Sequence, residues 1–374
     1  MMATHYVTYN GTDSWANSVS SLTPCSLTTA VGTATVGDII AVKYDAANPY
    51  STTTVLTCAN AGSSSGSIQL QGYDSTPGDN TGNRPTITSS TSSCNLLSIK
   101  SGWIVDNLLF THTGSTRGNA ISLLIANGML HVKNCVIDGC AIGVYAANIG
   151  AACTGTGSIV GCEIKNCTGD GIQTCSLECS GNYIHNNGGA GITIGIGGAT
   201  SIAIILGNFI ASNTGNGIKW AVGAVLQYIH IKGNTLRTNT GAPILMSSVT
   251  GSYFLSLENN IIWGNNGAYY GANFSGGVVT VITNRNNAYG NNGSGNVTGI
   301  AAGTNDVTLT GDPVTATTAV LNSTAGAGLA CQNVGWPGAS LFGVGYADIG
   351  ALQHTASGGS TGPRPVPNIH GGFA

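Results

Sequence analysis

The chain has 374 residues, 42% of them hydrophobic but only 7% charged, with 57 glycines and a formal net charge of -3. Its 11 Lys and Arg residues form no basic run, which excludes a nucleic-acid-binding surface, and no apolar run reaches the roughly 18 residues of a membrane-spanning helix. The apolar residues are spread periodically, so the composition points away from disorder and toward a regular, hydrogen-bonded β structure.

The first segment, residues 1–95, reads as a cap. Met1-Met2-Ala3-Thr4-His5-Tyr6-Val7 has no basic n-region and no long apolar stretch, so it does not read as a signal peptide. The expectation is either a leader already removed or a protein made in a cytoplasm and released another way, such as lysis of a phage-infected cell. Within this segment Val36-Gly37-Asp38-Ile39-Ile40-Ala41-Val42 predicts a turn and a strand, and Ser67-Ile68-Gln69-Leu70-Gln71-Gly72-Tyr73 predicts a second, alternating strand.

Residues 96–305 carry an internal repeat of the form Asn-x-Ile-x-x-Asn-x-x-x-Gly-Ile. The copies beginning at Asn182, Asn208, Asn234, Asn260 and Asn286 are each 26 residues apart, and the second asparagines, Asn187, Asn213, Asn239, Asn265 and Asn291, keep that spacing. Earlier copies place cysteine in both slots: Cys135 with Cys140, and Cys162 with Cys167. Extending the series back to Asn107 gives a leading column of Asn107, Cys135, Cys162, Asn182, Asn208, Asn234, Asn260 and Asn286. A period of this length predicts an all-β solenoid, a single-stranded parallel β-helix. In Asn-x-Ile-x the Asn and Ile share one strand face. Stacking at about 4.8 Å then builds a continuous apolar column of Ile and a hydrogen-bonded ladder of Asn, each bond contributing roughly 1 kcal/mol. A β-sandwich would instead show hairpin turns every ~8–12 residues.

Residues 306–356, from Gly311-Asp312-Pro313 to Tyr346-Ala347-Asp348-Ile349-Gly350-Ala351-Leu352, are expected to form the last turns and closure. Residues 357–374 form a Gly- and Pro-rich tail containing Pro363-Arg364-Pro365-Val366-Pro367, expected to be extended and to dock on another subunit.

A solenoid binds through its outward columns. The position before the core Ile gives Val136, Glu163, Tyr183, Phe209, Thr235 and Ile261; the position after it gives Asp138, Lys165, His185, Ala211, Arg237 and Trp263. Tyr183, His185, Arg237 and Trp263 are the candidate carbohydrate contacts, because aromatic faces suit the C–H faces of sugars and polar groups suit their hydroxyl edges. A solvated or subunit-facing sheet is the competing reading. Glycoside hydrolysis needs two carboxylates about 5–9.5 Å apart, for which Asp138 and Glu163 are the candidates, with Asp170 as an alternative partner of Glu163. Lys165, beside Asp138, is expected to pair with it. Glu258 over Lys232 reads as a cross-strand charge match. No acidic cluster suggests calcium, and Cys162 and Cys167 fall in inward ladder slots, so no metal and no cofactor is expected. A disulfide within the Cys153–Cys179 region is the alternative for some of the eleven cysteines.

Taken together, the repeats, the opening Tyr6-to-Val42 region with its Gly-Asp turn, and the Asp312-Pro313 … Asp348-Ile349-Gly350-Ala351 ending resemble the right-handed parallel β-helix repeat proteins, the superfamily of pectate-lyase-like and phage-tailspike-like chains. The resemblance covers about residues 5–353. It implies the fold directly and offers several activities: polysaccharide lyases, hydrolases, tailspikes, adhesins and capsid-associated proteins. The expectation is a phage virion structural protein of tailspike, fibre or decoration type, made in the host cytoplasm. It would be homo-oligomeric, preferably trimeric, contacting other virion proteins and host-surface polysaccharide. A polysaccharide hydrolase or lyase, or an extracellular bacterial adhesin, is the alternative.

Overall fold

A computed structural model describes residues 3–314 apart from 64–65, 80–82, 124–128, 147–156, 175–177, 195–200, 221–225, 247–250 and 266–268, together with residues 321, 327–331 and 350. The expected tail, residues 357–374, lies outside the described residues.

Among the described residues the chain forms three parallel sheets of eleven, eleven and ten strands, in each of which neighbours come from successive turns of the chain. Sheet A starts at Thr4–Val7 and ends at Val278–Arg285; sheet B runs from Tyr50–Ser51 to Val307–Thr308; sheet C runs from Leu56–Thr57 to Val297–Thr298. This is a parallel β-helix. Each turn visits A, B and C in order, and the inward side chains of all three sheets fuse into one core.

The Ile column is visible in sheet B, where Ile137, Ile164, Ile184, Ile210, Leu236 and Ile262 are all at 0% exposure and stack in register. Burying each such side chain contributes roughly 1.5–3 kcal/mol. At the N-terminal end a short helix, Leu27–Thr33, turns Leu27, Ala30 and Val31 onto this core, and its Ser26 cap accepts the Thr29 amide at 3.1 Å. It covers apolar core that the first rung would otherwise expose.

At the corner between sheets A and B the asparagines form a continuous buried ladder. Asn182 Nδ2 donates to Asn208 Oδ1 (2.9 Å), Asn208 to Asn234 (2.9 Å), Asn234 to Asn260 (3.0 Å) and Asn260 to Asn287 (2.9 Å). Each Oδ1 also accepts the backbone amide of the preceding ladder residue, and each Nδ2 also reaches a carbonyl of the preceding rung, as Asn234 does to Ile205 O at 2.8 Å. Asp306 ends the ladder: its Oδ1 accepts the Asn287 amide at 2.9 Å. A second ladder at the corner leaving sheet B links Asn187, Asn213, Asn239, Asn265 and Asn292.

Two members of the expected leading column are corrected. Asn107 and Asn286 lie one residue too early: Leu108 and Asn287 precede the paired strand positions Leu109 and Ala288 and take the inward slot. Asn107 (φ 54) and Asn286 (φ 54) instead belong to a neighbouring column of left-handed turn residues with Asn134, Gly161, Gly181, Gly207, Gly233 and Asn259. The second column shifts likewise, since Asn291 has φ 51 and Asn292 carries the ladder bond. The cause of the late shift is a β-bulge. Val281 pairs with Leu255 and Thr283 with Ser256, so Ile282 is an extra residue and the last repeat is longer by one.

The C-terminal residues do not simply continue the rungs. Leu309, Val314, Leu321, Ala327 and Cys331 pack with Ile261 and Ala288, which are outward positions of sheet B, and with Trp263. Closure is therefore lateral, over the outer face of sheet B. Gly350 seals the corner, its amide donating to Asn259 O at 2.8 Å.

Candidate functional site

Lateral closure divides the outward columns of sheet B in two. In the later rungs Thr235, Ile261 and Ala288 are at 0% exposure. Arg237 is committed to Asp312: Nε lies 3.0 Å from Oδ2 and 3.3 Å from Oδ1, and Nη2 also bonds Oδ2. Trp263 lies over Gly290, where an added Cβ would meet its ring at 2.5 Å, so only glycine admits the indole there. Arg237 stands in the column of His185, two rungs on, and its charge reaches Tyr183, but it is engaged by the C-terminal Asp312, and Trp263 packs in the C-terminal cluster.

The earlier rungs keep a polar surface. Glu163, Tyr183 and Phe209 occupy one column; Asp138, Lys165, His185 and Ala211 occupy the next. Lys165 Nζ donates to Glu163 Oε1 at 2.9 Å, and His185 Nε2 donates to the same oxygen at 3.1 Å. The His185 ring stacks on Tyr183 (centroids 3.8 Å apart, planes at 17°), and Tyr183 stacks on Phe209 (5.1 Å, 11°). The result is an aromatic run, Phe209–Tyr183–His185, ending on a carboxylate with a lysine beside it. Phe209 and His185 are buried, and Tyr183, Glu163 and Lys165 are half-buried.

The electrostatics follow from these contacts. Burial pushes the Glu163 carboxyl up, but the bonds from Lys165 and His185 outweigh it and hold the group below the usual carboxylate range. Burial pushes His185 down, against the opposing pull of Glu163. At neutral pH this is an ionised glutamate orienting a neutral imidazole by its Nε2–H.

The expected Lys165–Asp138 pair is corrected: Lys165 turns along its own strand to Glu163, while Asp138 Oδ1 accepts Asn166 Nδ2 at 2.8 Å. Asp138 and Glu163 sit diagonally on adjacent strands, with Cα atoms on the order of 8 Å apart from the strand spacing and rise. Glu163, held ionised, suits the carboxylate role in a catalytic pair and not that of the acid, which must hold its proton at working pH. Asp170 belongs to a turn, where it accepts from Ala190 N (2.7 Å), Thr193 Oγ1 (2.7 Å) and Gln173 Nε2 (2.9 Å). Glu258 bridges Lys232 (3.4 Å) and Arg285 (2.9 Å) on the outer face of sheet A.

Among the described residues no three His, Cys, Asp or Glu side chains gather as a metal would require. Cys135, Cys140, Cys162 and Cys167 are buried free thiols in the ladder slots, with burial raising Cys167 to about 12. Cys179 is also a free thiol; Cys153 and Cys175, the other members of the expected disulfide region, lie outside the described residues. Sequence reasoning missed Asp312 as the partner of Arg237, and no local signal marks a contact 75 residues away. It also missed Asn166, whose left-handed φ of 55 aims it at Asp138; its place in the repeat, immediately before Cys167, was the available signal.

No protein-family model matches the chain. No curated protein matches it in sequence. Among solved structures, it is similar to the lacto-N-biosidase GH136 from Eubacterium ramulus at a TM-score of 0.40 and 11% identity, over 82% of this chain and 68% of that one. It is similar to pectate lyase Pel9A at a TM-score of 0.55 and 16% identity, over 94% of this chain and 96% of that one. At that identity the likeness is one of fold, and it extends along nearly the whole of both chains: this protein is a parallel β-helix.

Proposed function

We propose that this chain is a non-catalytic, glycan-contacting rod, of the kind displayed on a virion as a tailspike, fibre or decoration protein. The observation that supports it is the aromatic run Phe209–Tyr183–His185 ending on the Glu163–Lys165 pair. A half-buried tyrosine beside fixed acceptors and donors offers a sugar both an apolar face and hydroxyl partners. Glu163 is already satisfied and ionised, which suits hydrogen bonding to hydroxyls and not proton donation. The ladders and the single continuous core supply the stiffness that a displayed rod needs. Trimeric assembly is part of the proposal, supported by apolar side chains on the outer face of sheet A: Ile202 is 51% exposed, Val278 65% and Tyr228 39%. A glycan array probed with the wild type and with Tyr183→Ala tests the binding. Binding of a defined glycan that falls at least about tenfold in the variant, with the glycan recovered intact, is the expected result. Equal binding by both proteins overturns the site. Immunogold labelling of source particles tests the virion role.

One observation favours a second reading, a polysaccharide lyase or hydrolase: the Glu163–His185 dyad. With Nε2–H donated to Glu163, Nδ1 is the basic nitrogen of a neutral imidazole, and a base so oriented could take a proton from a sugar or a water. Product release that disappears in both Glu163→Gln and His185→Ala would select this reading over the first.

A further inference from the structure

A cleft lies near the start of the chain, where sheet A turns into sheet B for the first time. It is about 430 Å³ and is lined by Thr8, Tyr9, Asn10, Lys43, Tyr44 and Asp45 over Tyr50. One wall is the turn after the first strand of sheet A, closed by Gly11 N donating to Thr8 O at 3.2 Å. The other wall follows the second strand of sheet A, where the Tyr44 amide donates to Tyr73 O at 2.8 Å. Tyr50 joins them from below: its hydroxyl donates to Lys43 O (2.7 Å) and lies 3.3 Å from Val7 O. The floor is thus fixed, while Tyr9 is 51% exposed.

The chemistry of the lining is specific. Tyr9 and Tyr44 offer aromatic surface. Asp45 is held in place by its own loop, accepting Ala47 N (2.9 Å), Asn48 N (3.2 Å) and Asn48 Nδ2 (2.9 Å). These bonds also keep it ionised, the Asn48 side chain being the largest contribution. Lys43 balances its charge, so the cleft presents no net charge to attract a polyanion. Asp45 is the one carboxylate in the lining, too few for a hard cation, which takes six to eight oxygens. What remains is a ligand with flat apolar faces and many neutral hydroxyls. The volume falls in the range of small-molecule sites, about 300–1,000 Å³.

We propose that this cleft is a separate binding site for a short neutral saccharide, stacked on Tyr9 and hydrogen-bonded through Asp45, Asn10 and Lys43. It shares no residue with the sheet B surface and does not depend on that surface binding glycan.

Saturation-transfer NMR and calorimetry on the full chain test it, with maltotriose, cellotriose and mannotriose as neutral probes and trigalacturonate as the acidic one. The expected result is binding of at least one neutral probe, weakened about tenfold or more by Tyr9→Ala and weakened by Asp45→Asn, with Tyr183→Ala unchanged. Tyr9 is exposed, so its loss should leave the circular dichroism spectrum intact, and that spectrum is recorded for each variant. Absence of binding by every neutral probe, binding of trigalacturonate alone, or equal affinity in Tyr9→Ala overturns the cleft. Loss of binding in Tyr183→Ala but not in Tyr9→Ala overturns the cleft while supporting the sheet B surface, and the reverse pattern supports the cleft and not the sheet.

Discussion

Arg237 and Asp312 are 75 residues apart and meet as a two-pronged ion pair on the outer face of sheet B. This pair and the apolar cluster around Ile261 and Ala288 hold the C-terminal segment against the solenoid. The Arg237 side chain is only 14% exposed, and removing Asp312 costs a charge-assisted bond, a loss on the order of 1–3 kcal/mol. Asp312→Ala should therefore loosen the segment locally. The expected outcome is faster proteolytic cleavage after residue 312, with the thermal midpoint of the solenoid nearly unchanged. A large drop in that midpoint would show instead that closure is part of the global fold.

The corrected ladder register makes a sharper prediction. Asn287 Oδ1 accepts from both Asn260 N and Asn260 Nδ2, and its Nδ2 donates to Leu257 O. Asn260 Nδ2 keeps its bond to Ile231 O, so Asn287→Ala strands the Asn260 amide and the Leu257 carbonyl and should cost about 2–6 kcal/mol, at roughly 1–3 kcal/mol for each. Asn286 holds a left-handed φ of 54, where glycine is at ease and already serves at Gly207 and Gly233. Asn286→Gly keeps that backbone at ease and should cost less than Asn287→Ala. Guanidinium unfolding of the two variants checks the order.

That one-residue distinction also shows what the sequence could and could not disclose. The solenoid was legible because Ile at one slot and Asn five residues apart recur with the pitch of a rung. The register at the two ends was not, because asparagine suits both the inward ladder and the left-handed turn beside it. Nothing in the local sequence marks Ile282 as a bulge; only its pairing across Leu255 and Ser256 reveals it. On sheet B the outward direction of Glu163, Tyr183 and His185 followed from alternation alone. That Arg237 and Trp263 would be covered depended on a return of the chain carrying no periodic signal.

Acid should destabilise the protein in two stages. His185, His131 and His112 all lie below their ordinary value, chiefly through burial. Such groups bind protons more readily when unfolded, so stability falls as pH drops below the unfolded value of about 6.5. Glu163 and Glu258 are also depressed, burial being outweighed by Lys165 and His185 in one case and by Thr283, Lys232 and Arg285 in the other. Their contribution is present above the unfolded carboxylate value, about 4.3, and is lost as pH falls through the folded one. Thermal midpoints recorded from pH 8 to 3 should show both declines. His185→Gln should flatten the upper decline and leave part of it to the other two histidines. An unchanged upper slope would mean that His185 is not the buried neutral imidazole described.

The outer face of sheet A bears on assembly. Ile202, Tyr228 and Phe254 stand in one register column, Tyr228 stacked on Phe254 at 4.9 Å, and Val278 and Ile282 extend the apolar surface on the last strand. On the same face Glu258 pairs with Lys232 and Arg285, and a second copy laid there would gain apolar burial at roughly 25 cal/mol per Å². Sedimentation of the purified chain should give three times its 37.5 kDa mass. Tyr228→Asp should shift it to the monomer, because a carboxylate at the centre of a dry contact carries an uncompensated desolvation cost, while the spectrum and thermal midpoint of the isolated rod stay close to wild type. Monomeric wild type at tens of micromolar would remove trimerisation from the proposed function, and trimers that persist in Tyr228→Asp would move the interface to another face.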